Sequence, residues 1–300
     1  MWNNILQQIK TGDRKSLARC ISLVENETTG YDIFLQNLPT SITPIIGITG
    51  PPGAGKSTLT DALIGGYVHA GKKVAVLCVD PSSPFNMGAL LGDRIRMSQW
   101  YNSDNVFIRS LATRGSLGGL NPKIIEITDL LKAADFDYII VETVGVGQSE
   151  IEIAGLADVT VVTIVPEAGD EIQTMKAGVM EIADVFVVNK ADRPGADTFV
   201  KNLRLMLAPT FTTHKEEVEV IKTIASKQQG IKTLQKAIDK VLANTKNERK
   251  AWLLAEKVYH LIQKEKMRDI DKQQLKTQIE NTEGAINIYN FVQKVLLKKD

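Results

Sequence analysis

The sequence is poor in the residues that build disulfide frameworks, metal cages and membrane spans. It holds two cysteines, Cys20 and Cys78, and three histidines, His69, His214 and His260. Two lone cysteines exclude a disulfide scaffold, and neither has a neighbour at metal-ligand spacing. Cys78 lies in an aliphatic run and reads as a small core hydrophobe. The histidines belong to no constellation and read as structural. Charge of one sign is also lacking: 36 basic and 35 acidic side chains leave a net +1. No global field therefore draws the chain to nucleic acid or to a membrane surface. No apolar run approaches the roughly eighteen residues of a membrane helix. The start Met1-Trp2-Asn3-Asn4 lacks a basic stretch followed by an apolar one, so the expectation is a cytoplasmic protein without a secretory leader.

What is present is an ordinary globular composition, 43% hydrophobic and 24% charged over 300 residues. That suffices for one large α/β domain with extra elements, or for two small domains. The pattern along the chain divides into residues 1–42, 43–245 and 246–300. The first part has no strand pattern. Asp13 is placed to cap a helix carrying Leu17, Ile21 and Val24 on one face, and a second short helix runs to about Leu38. From Ile45 onward, aliphatic runs alternate with helical stretches: Ile45–Ile48, Val74–Val79, Tyr138–Val141, Val159–Val165, Val185–Val188 and Val218–Ile221. Runs apolar at consecutive positions suit parallel strands covered on both faces, so the expectation is an α/β, doubly wound, mostly parallel sheet. After about Ala243 only helical periodicity remains, with Leu254, Val258, Leu261 and Ile262, then Ile288, Val292, Val295 and Leu296. This last part holds twelve Lys/Arg against eight Asp/Glu. It is too small for a core of its own and must pack on the main domain, a twin chain or another protein.

Gly50-Pro51-Pro52-Gly53-Ala54-Gly55-Lys56-Ser57, followed by Thr58, fits the phosphate-binding pattern G-x-x-x-x-G-K-[ST]. An aliphatic strand precedes it and a helix bearing Leu59, Ala62, Leu63 and Tyr67 follows. The glycines let the loop curl so that backbone N–H groups converge on phosphate at the positive end of a helix dipole. Lys56 would reach the β- and γ-phosphates and Ser57 would offer its hydroxyl to Mg²⁺. A ligand-free glycine turn is the bland alternative, and the full match in its proper context disfavours it.

Asn189-Lys190-Ala191-Asp192 ends the apolar run Val185–Val188. A carboxylate at the base edge accepts from both N1–H and the exocyclic amine of guanine, while adenine offers no such pair. Asp192 should therefore favour GTP over ATP, with Asn189 tying the loops together and the Lys190 stem covering the base. Thr223-Ile224-Ala225 is placed to supply a backbone N–H to the base. Four residues alone are a weak pattern; their place after a strand, downstream of a complete phosphate loop, decides for it.

Glu142-Thr143-Val144-Gly145 follows another strand, where a cation-facing carboxylate is expected. Val144 to Gln148 would form a mobile loop with the Gly145 N–H toward the γ-phosphate. Asp80 and Asp93 are further candidates for the metal or its waters. A turn cap is the alternative for Asp80, and a solvated surface carboxylate for Asp93. Gln148 could orient the attacking water or cap the next helix. Arg94, Arg96, Arg109 and Arg114 gather around the expected switch loops, with none singled out.

The segments Gly47–Leu59, Val79–Met97, Arg109–Leu120, Val141–Glu150, Pro166–Asp184 and Val187–Ala196 resemble the MeaB/ArgK/MMAA group of SIMIBI-class P-loop GTPases. Asp80-Pro81-Ser82-Ser83-Pro84 and Glu142-Thr143-Val144-Gly145-Val146-Gly147-Gln148-Ser149-Glu150 are the most specific stretches, and Ile224 departs from the Ser usual in such GTPases. The resemblance implies a GTPase chaperone that gates adenosylcobalamin loading of methylmalonyl-CoA mutase and protects or rescues that enzyme. It implies GTP/GDP and Mg²⁺ as ligands, a homodimer built through the C-terminal helices, and no nucleic-acid or membrane partner. It gives phosphate and metal roles to Lys56 and Ser57, metal and switch roles to Asp80, Asp93 and Glu142, and a relay to the mutase to Glu167–Lys176, ending at Lys176. A P-loop kinase of the transport-system type, a nickel-delivery GTPase of the same class and a nucleotide-dependent scaffold with negligible turnover are the rival readings. N-K-x-D speaks against the first, and the scattered His and Cys against the second.

Overall fold

The computed structural model describes residues 1–80, 97–113, 120–143, 145, 149–167, 177–207, 218–244, 247–282 and 284–297. Among the described residues seven strands form one sheet: β1 (Ile45–Thr49), β2 (Val74–Asp80), β3 (Val106–Ala112), β4 (Tyr138–Glu142), β5 (Val159–Ile164), β6 (Val185–Val188) and β7 (Glu219–Lys222). Their order is β3-β2-β4-β1-β5-β6-β7, and every neighbouring pair is parallel. Parallel neighbours need crossovers, and the helices that supply them cover both faces.

Side chains alternate across these strands, which sorts consecutive apolar residues into two cores. Ile45, Ala75, Leu77 and Val79 face one way, against α1 (Trp2–Lys10), α2 (Arg14–Glu25), α3 (Tyr31–Gln36) and α5 (Ile124–Lys132). Ile46, Ile48, Val76 and Cys78 face the other way, against α4 (Lys56–His69) and α9 (Ile231–Asn244). A third cluster joins Val162, Ile164, Phe186 and Val188 to Phe199, Val200 and Leu203 of α8 (Ala196–Met206). Two shorter helices, α6 (Ser149–Leu156) and α7 (Ala177–Ile182), complete the crossovers. Each buried aliphatic side chain contributes on the order of 1.5–3 kcal/mol.

Asp13 caps α2, its carboxylate accepting from the Lys15 N–H at 2.9 Å, and Leu17, Ile21 and Val24 are fully buried. Helix α1 was not expected from the sequence; Ile5 and Ile9 bury its apolar stripe in the core shared with α2. Strand β3 was not expected either, and it corrects the reading of Arg109. That residue sits mid-strand and donates to Ser22 Oγ at 2.9 Å and to Glu25 Oε2 at 3.2 Å, tying the sheet edge to α2. Arg94, Arg96 and Arg114 lie outside the described residues.

The chain separates into two compact units, Met1–Leu253 and Leu254–Asp300. Among the described residues of the C-terminal part there are three helices, α10 (Asn247–Met267), α11 (Lys272–Glu280) and α12 (Ile288–Leu297). Asp271 caps α11 through the Gln273 and Gln274 N–H groups. Leu254, Val258, Leu261 and Ile262 of α10, and Ile288, Val292 and Leu296 of α12, are exposed. Among the described residues no helix is long and apolar enough to cross a membrane.

Candidate functional site

Because all seven strands run the same way, every strand ends at one edge of the sheet. The order reverses at β1, with β4 on one side and β5 on the other. Such a reversal opens a crevice beyond the carboxyl ends of the strands. The chain leaves β1 at Thr49 into Gly50–Gly55 and enters α4 at Lys56. Gly50 has φ 135° and a Cβ there would stand 2.0 Å from the Thr163 carbonyl oxygen, so only glycine fits. The loop delivers the N-terminus of α4 to the crevice, with its orphan N–H groups and positive dipole end.

Lys56 is buried, and its ammonium donates to the carbonyls of Gly50 (2.9 Å) and Pro51 (3.1 Å), which curls it back over the loop. Ser57 donates from Oγ to Glu142 Oε1 at 2.6 Å. Glu142 ends β4, paired in register with Ile48 on one side and Cys78 on the other, which sets its carboxylate beside the start of α4. Its second oxygen accepts from Thr60 Oγ1 at 2.9 Å. Asp80, expected just beyond β2, is the last residue of that strand and is buried. Gly145 has φ 84°, and a Cβ on it would stand 2.3 Å from both the Gly50 oxygen and Lys56 Nζ. The loop after β4 thus presses against the phosphate loop at a point where a side chain cannot fit. Thr49 and Thr143, both buried, share a hydroxyl–hydroxyl hydrogen bond of 2.9 Å that fastens the two loop starts together.

The second half of the site is built from β6 and β7. Asn189 is buried and donates from Nδ2 to the Ala54 carbonyl at 3.0 Å. Its Oδ1 accepts from Thr223 Oγ1 and from the Ala225 N–H, each at 3.1 Å. One amide therefore links the phosphate loop, the loop after β6 and the loop after β7, the tie expected of it. The Ala225 N–H, expected to face the base, is engaged by Asn189. Lys190 takes φ 55° and reaches back to the Gly53 carbonyl at 2.7 Å. Asp192 is exposed and pairs with Lys227 at 3.0 Å. The hydrogen bond from Lys227 holds the Asp192 carboxyl below the usual aspartate range. Glu167 pairs with Arg193 at 2.7 Å, and that bond likewise lowers its carboxyl.

Sequence reasoning missed Thr60 and Lys227. Thr60 was legible in principle: it lies three residues after Ser57, so one helical face carries both hydroxyls. Lys227 carries no sequence signal, because an exposed lysine two residues past a backbone donor is ordinary. Asp93, Gln148 and Lys176, with Val144 and residues 146–148, lie outside the described residues.

The donor set suits its expected ligands. Helix N–H groups and a buried ammonium fit polyphosphate. A serine that gives its proton to a carboxylate keeps its oxygen lone pairs for a hard cation. Among the described residues no three His, Cys, Asp or Glu side chains gather into a metal site. A cation here would draw on Ser57, on Glu142 and Asp80 and their waters, and on phosphate oxygens.

Fold and loops together define a P-loop nucleotide-binding protein with a guanine-type base motif. Residues 17–282 match the family of the methylmalonyl-CoA mutase-associated GTPase MeaB, so the chain belongs to that family and is a GTP hydrolase that binds guanine nucleotide. The match runs through α10 and α11. A Pyrococcus horikoshii protein provisionally named a GTPase is 46% identical over 245 residues, 79% of this chain and 76% of that one. The fused isobutyryl-CoA mutase of Geobacillus kaustophilus is 36% identical over 236 residues, 74% of this chain and 22% of that protein. Among solved structures, one titled LAO/AO transport system kinase aligns with TM-score 0.68 and 25% identity over 98% of this chain and 95% of its own.

Proposed function

We propose that this GTPase is a chaperone that uses Mg²⁺-dependent GTP hydrolysis to gate adenosylcobalamin loading of methylmalonyl-CoA mutase, or a related acyl-CoA mutase, and to protect or reactivate it. The observation that carries the reading is the Geobacillus kaustophilus relative, in which a segment 36% identical to this chain belongs to one polypeptide with an acyl-CoA mutase. Fusion fixes two activities at high effective concentration, which is useful where the two must meet repeatedly.

Hydrolysis breaks the bond between the γ-phosphorus and the β,γ-bridging oxygen while a bond to water oxygen forms. GDP leaves with the electron pair, and the water proton passes to phosphate and solvent. Lys56 and the Gly53–Ser57 N–H groups hold the β- and γ-phosphates and take up their charge. Magnesium, when bound, supplies further neutralisation of the phosphate oxygens. Ser57, Glu142 and Asp80 are the residues that would hold it, with Asp93 completing the set. The Gly145 N–H faces the γ-phosphate, and Gln148 orients the water. The Val144–Gln148 and Glu167–Lys176 stretches report nucleotide state to the mutase, ending at Lys176. Lys190 and Asp192 hold the base, and Asn189, bonded to the Ala225 N–H, ties their loop to the phosphate loop.

The exposed apolar residues of α10 and α12 form the face through which two copies pair. The N-terminal helices to residue 42, the GTPase domain at 43–245 and the helical arm at 246–300 are the three parts in this scheme.

Steady-state GTP and ATP hydrolysis, each with and without a cobalamin-dependent methylmalonyl-CoA mutase, tests the proposal. GTP-selective turnover that rises with mutase is expected. Turnover indifferent to mutase overturns the partner, and phosphate passed to a protein or amino acid instead of water restores the kinase alternative.

A further inference from the structure

We infer that Thr60 is a positioning residue that locks the Glu142 carboxylate in the orientation the cation site requires. The inference rests on the Mg²⁺ reading proposed above and adds a residue to it.

Thr60 is fully buried in the second turn of α4, three residues beyond Ser57. The two hydroxyls therefore lie on one side of the helix, and they take different oxygens of the same carboxylate. Ser57 reaches Oε1 at 2.6 Å and Thr60 reaches Oε2 at 2.9 Å. Glu142 itself is only 3% exposed, so water is a poor substitute for either donor.

A threonine inside a helix commonly bonds back to the carbonyl four residues earlier and does nothing more. The Lys56 carbonyl lies within reach of Thr60, at 3.0 Å. The hydroxyl has one proton to give, however, and a carboxylate attracts it more strongly than a neutral carbonyl does. The carboxylate is thus gripped at both ends by one rigid helix. That grip matters for Ser57. While Oε1 stays on the serine proton, the Ser57 lone pairs point away from Glu142 and toward the crevice. A carboxylate free to rotate at its end would release that proton, and Ser57 would lose its orientation. The hydroxyl of Thr60 meets Glu142 Oε2 and the Lys56 carbonyl, so its effect on the proposed cation travels through Glu142.

Thr60→Val keeps the shape and removes the hydroxyl; Thr60→Ser keeps the hydroxyl. The measurement is release of a fluorescent GDP analogue from the full chain, with Mg²⁺ titrated in and with excess EDTA. In the native protein Mg²⁺ should slow release. For Thr60→Val the Mg²⁺ concentration giving half the slowing should rise by about tenfold or more, the loss expected for one hydrogen bond to a buried charge. Release in EDTA should match the native rate, and Thr60→Ser should restore the native Mg²⁺ response. A native Mg²⁺ response in Thr60→Val overturns the inference, as does an equal change of rate with and without Mg²⁺, which would mark damage to α4 alone. Native protein indifferent to Mg²⁺ overturns the cation reading itself and the inference with it. If Thr60→Val fails to fold, Thr60→Ala read against Thr60→Ser replaces it: the Mg²⁺ response must weaken in the first and stay native in the second, and equal responses overturn the inference.

Discussion

The two ends of the nucleotide site are built to different standards. At the phosphate end Lys56, Ser57 and Glu142 are all buried: backbone carbonyls hold Lys56, and Glu142 accepts from the hydroxyls of Ser57 and Thr60. At the base end Asp192 and Lys227 meet in solvent, 42% and 59% exposed, as a single ion pair. The contrast follows from what each end must do. Stabilising charge on phosphate needs fixed donors in a low-dielectric pocket that do not reorganise during the reaction. Choosing a base needs only a difference in affinity, which one placed carboxylate such as the proposed Asp192 can supply, and the base must enter and leave. Asn189 is the joint: buried, it bonds to the phosphate loop with one end and to the base loops with the other.

The largest effect should come from the buried end. Lys56→Ala removes the one buried ammonium described in the phosphate loop, and guanine nucleotide affinity should fall by about a thousandfold. Titration with a fluorescent nucleotide measures it, and unchanged affinity would remove Lys56 from the site. Asp192→Asn should next shift the preference for guanosine over xanthosine nucleotides by about a hundredfold, leaving phosphate affinity in place. Competition between GTP and XTP reads the shift, and an unaltered ratio would take the base role from Asp192. Asn189→Ala should weaken nucleotide binding by about tenfold and lower the melting temperature, because it strands buried partners on both sides. If it altered only base preference, the two ends would be independent after all.

The smallest effect belongs to the exposed pair. Lys227→Met should change GTP affinity at neutral pH by about threefold or less, as befits a solvated ion pair. Its signature lies in pH. The Lys227 hydrogen bond lowers the folded-state Asp192 pKa. A lowered folded pKa means that the pair's stabilisation is complete above the unfolded aspartate value of about 3.9 and is lost as pH falls through the lower folded one. The Asp192 carboxyl, followed by NMR in the native protein, should therefore titrate below the ordinary range, and Lys227→Met should move the midpoint up toward it. An unmoved midpoint would mean that Lys227 does not bear on the base carboxylate.

Most of this architecture was legible in one dimension. Short continuous apolar runs alternating with helical stretches announced covered parallel strands, because a strand buried on both faces is apolar at successive positions. Strand β3 escaped because Arg109 and Ser110 interrupt its run at the edge of the sheet, where among the described residues only β2 pairs with it. The polar side chain that hid the strand is the one that anchors it, through Ser22 and Glu25 of α2. Helix α1 escaped for the opposite reason: its stripe is short, and only the neighbouring helices show that it is buried.

For the site, the sequence by itself determined which chemistry was available. The Gly50–Ser57 spacing and the Asn189–Asp192 motif each encode a local backbone shape, and local shape depends on neighbours along the chain. Only the tertiary structure decided which groups meet. Glu142 faces Ser57 and Thr60 because the register of β4 against β1 and β2 ends all three strands at one edge. Asn189 reaches Ala54 across 135 positions of sequence, and Lys227 reaches Asp192 across 35. Contacts between residues so far apart are set by strand order and crossover geometry, which no short stretch of sequence contains.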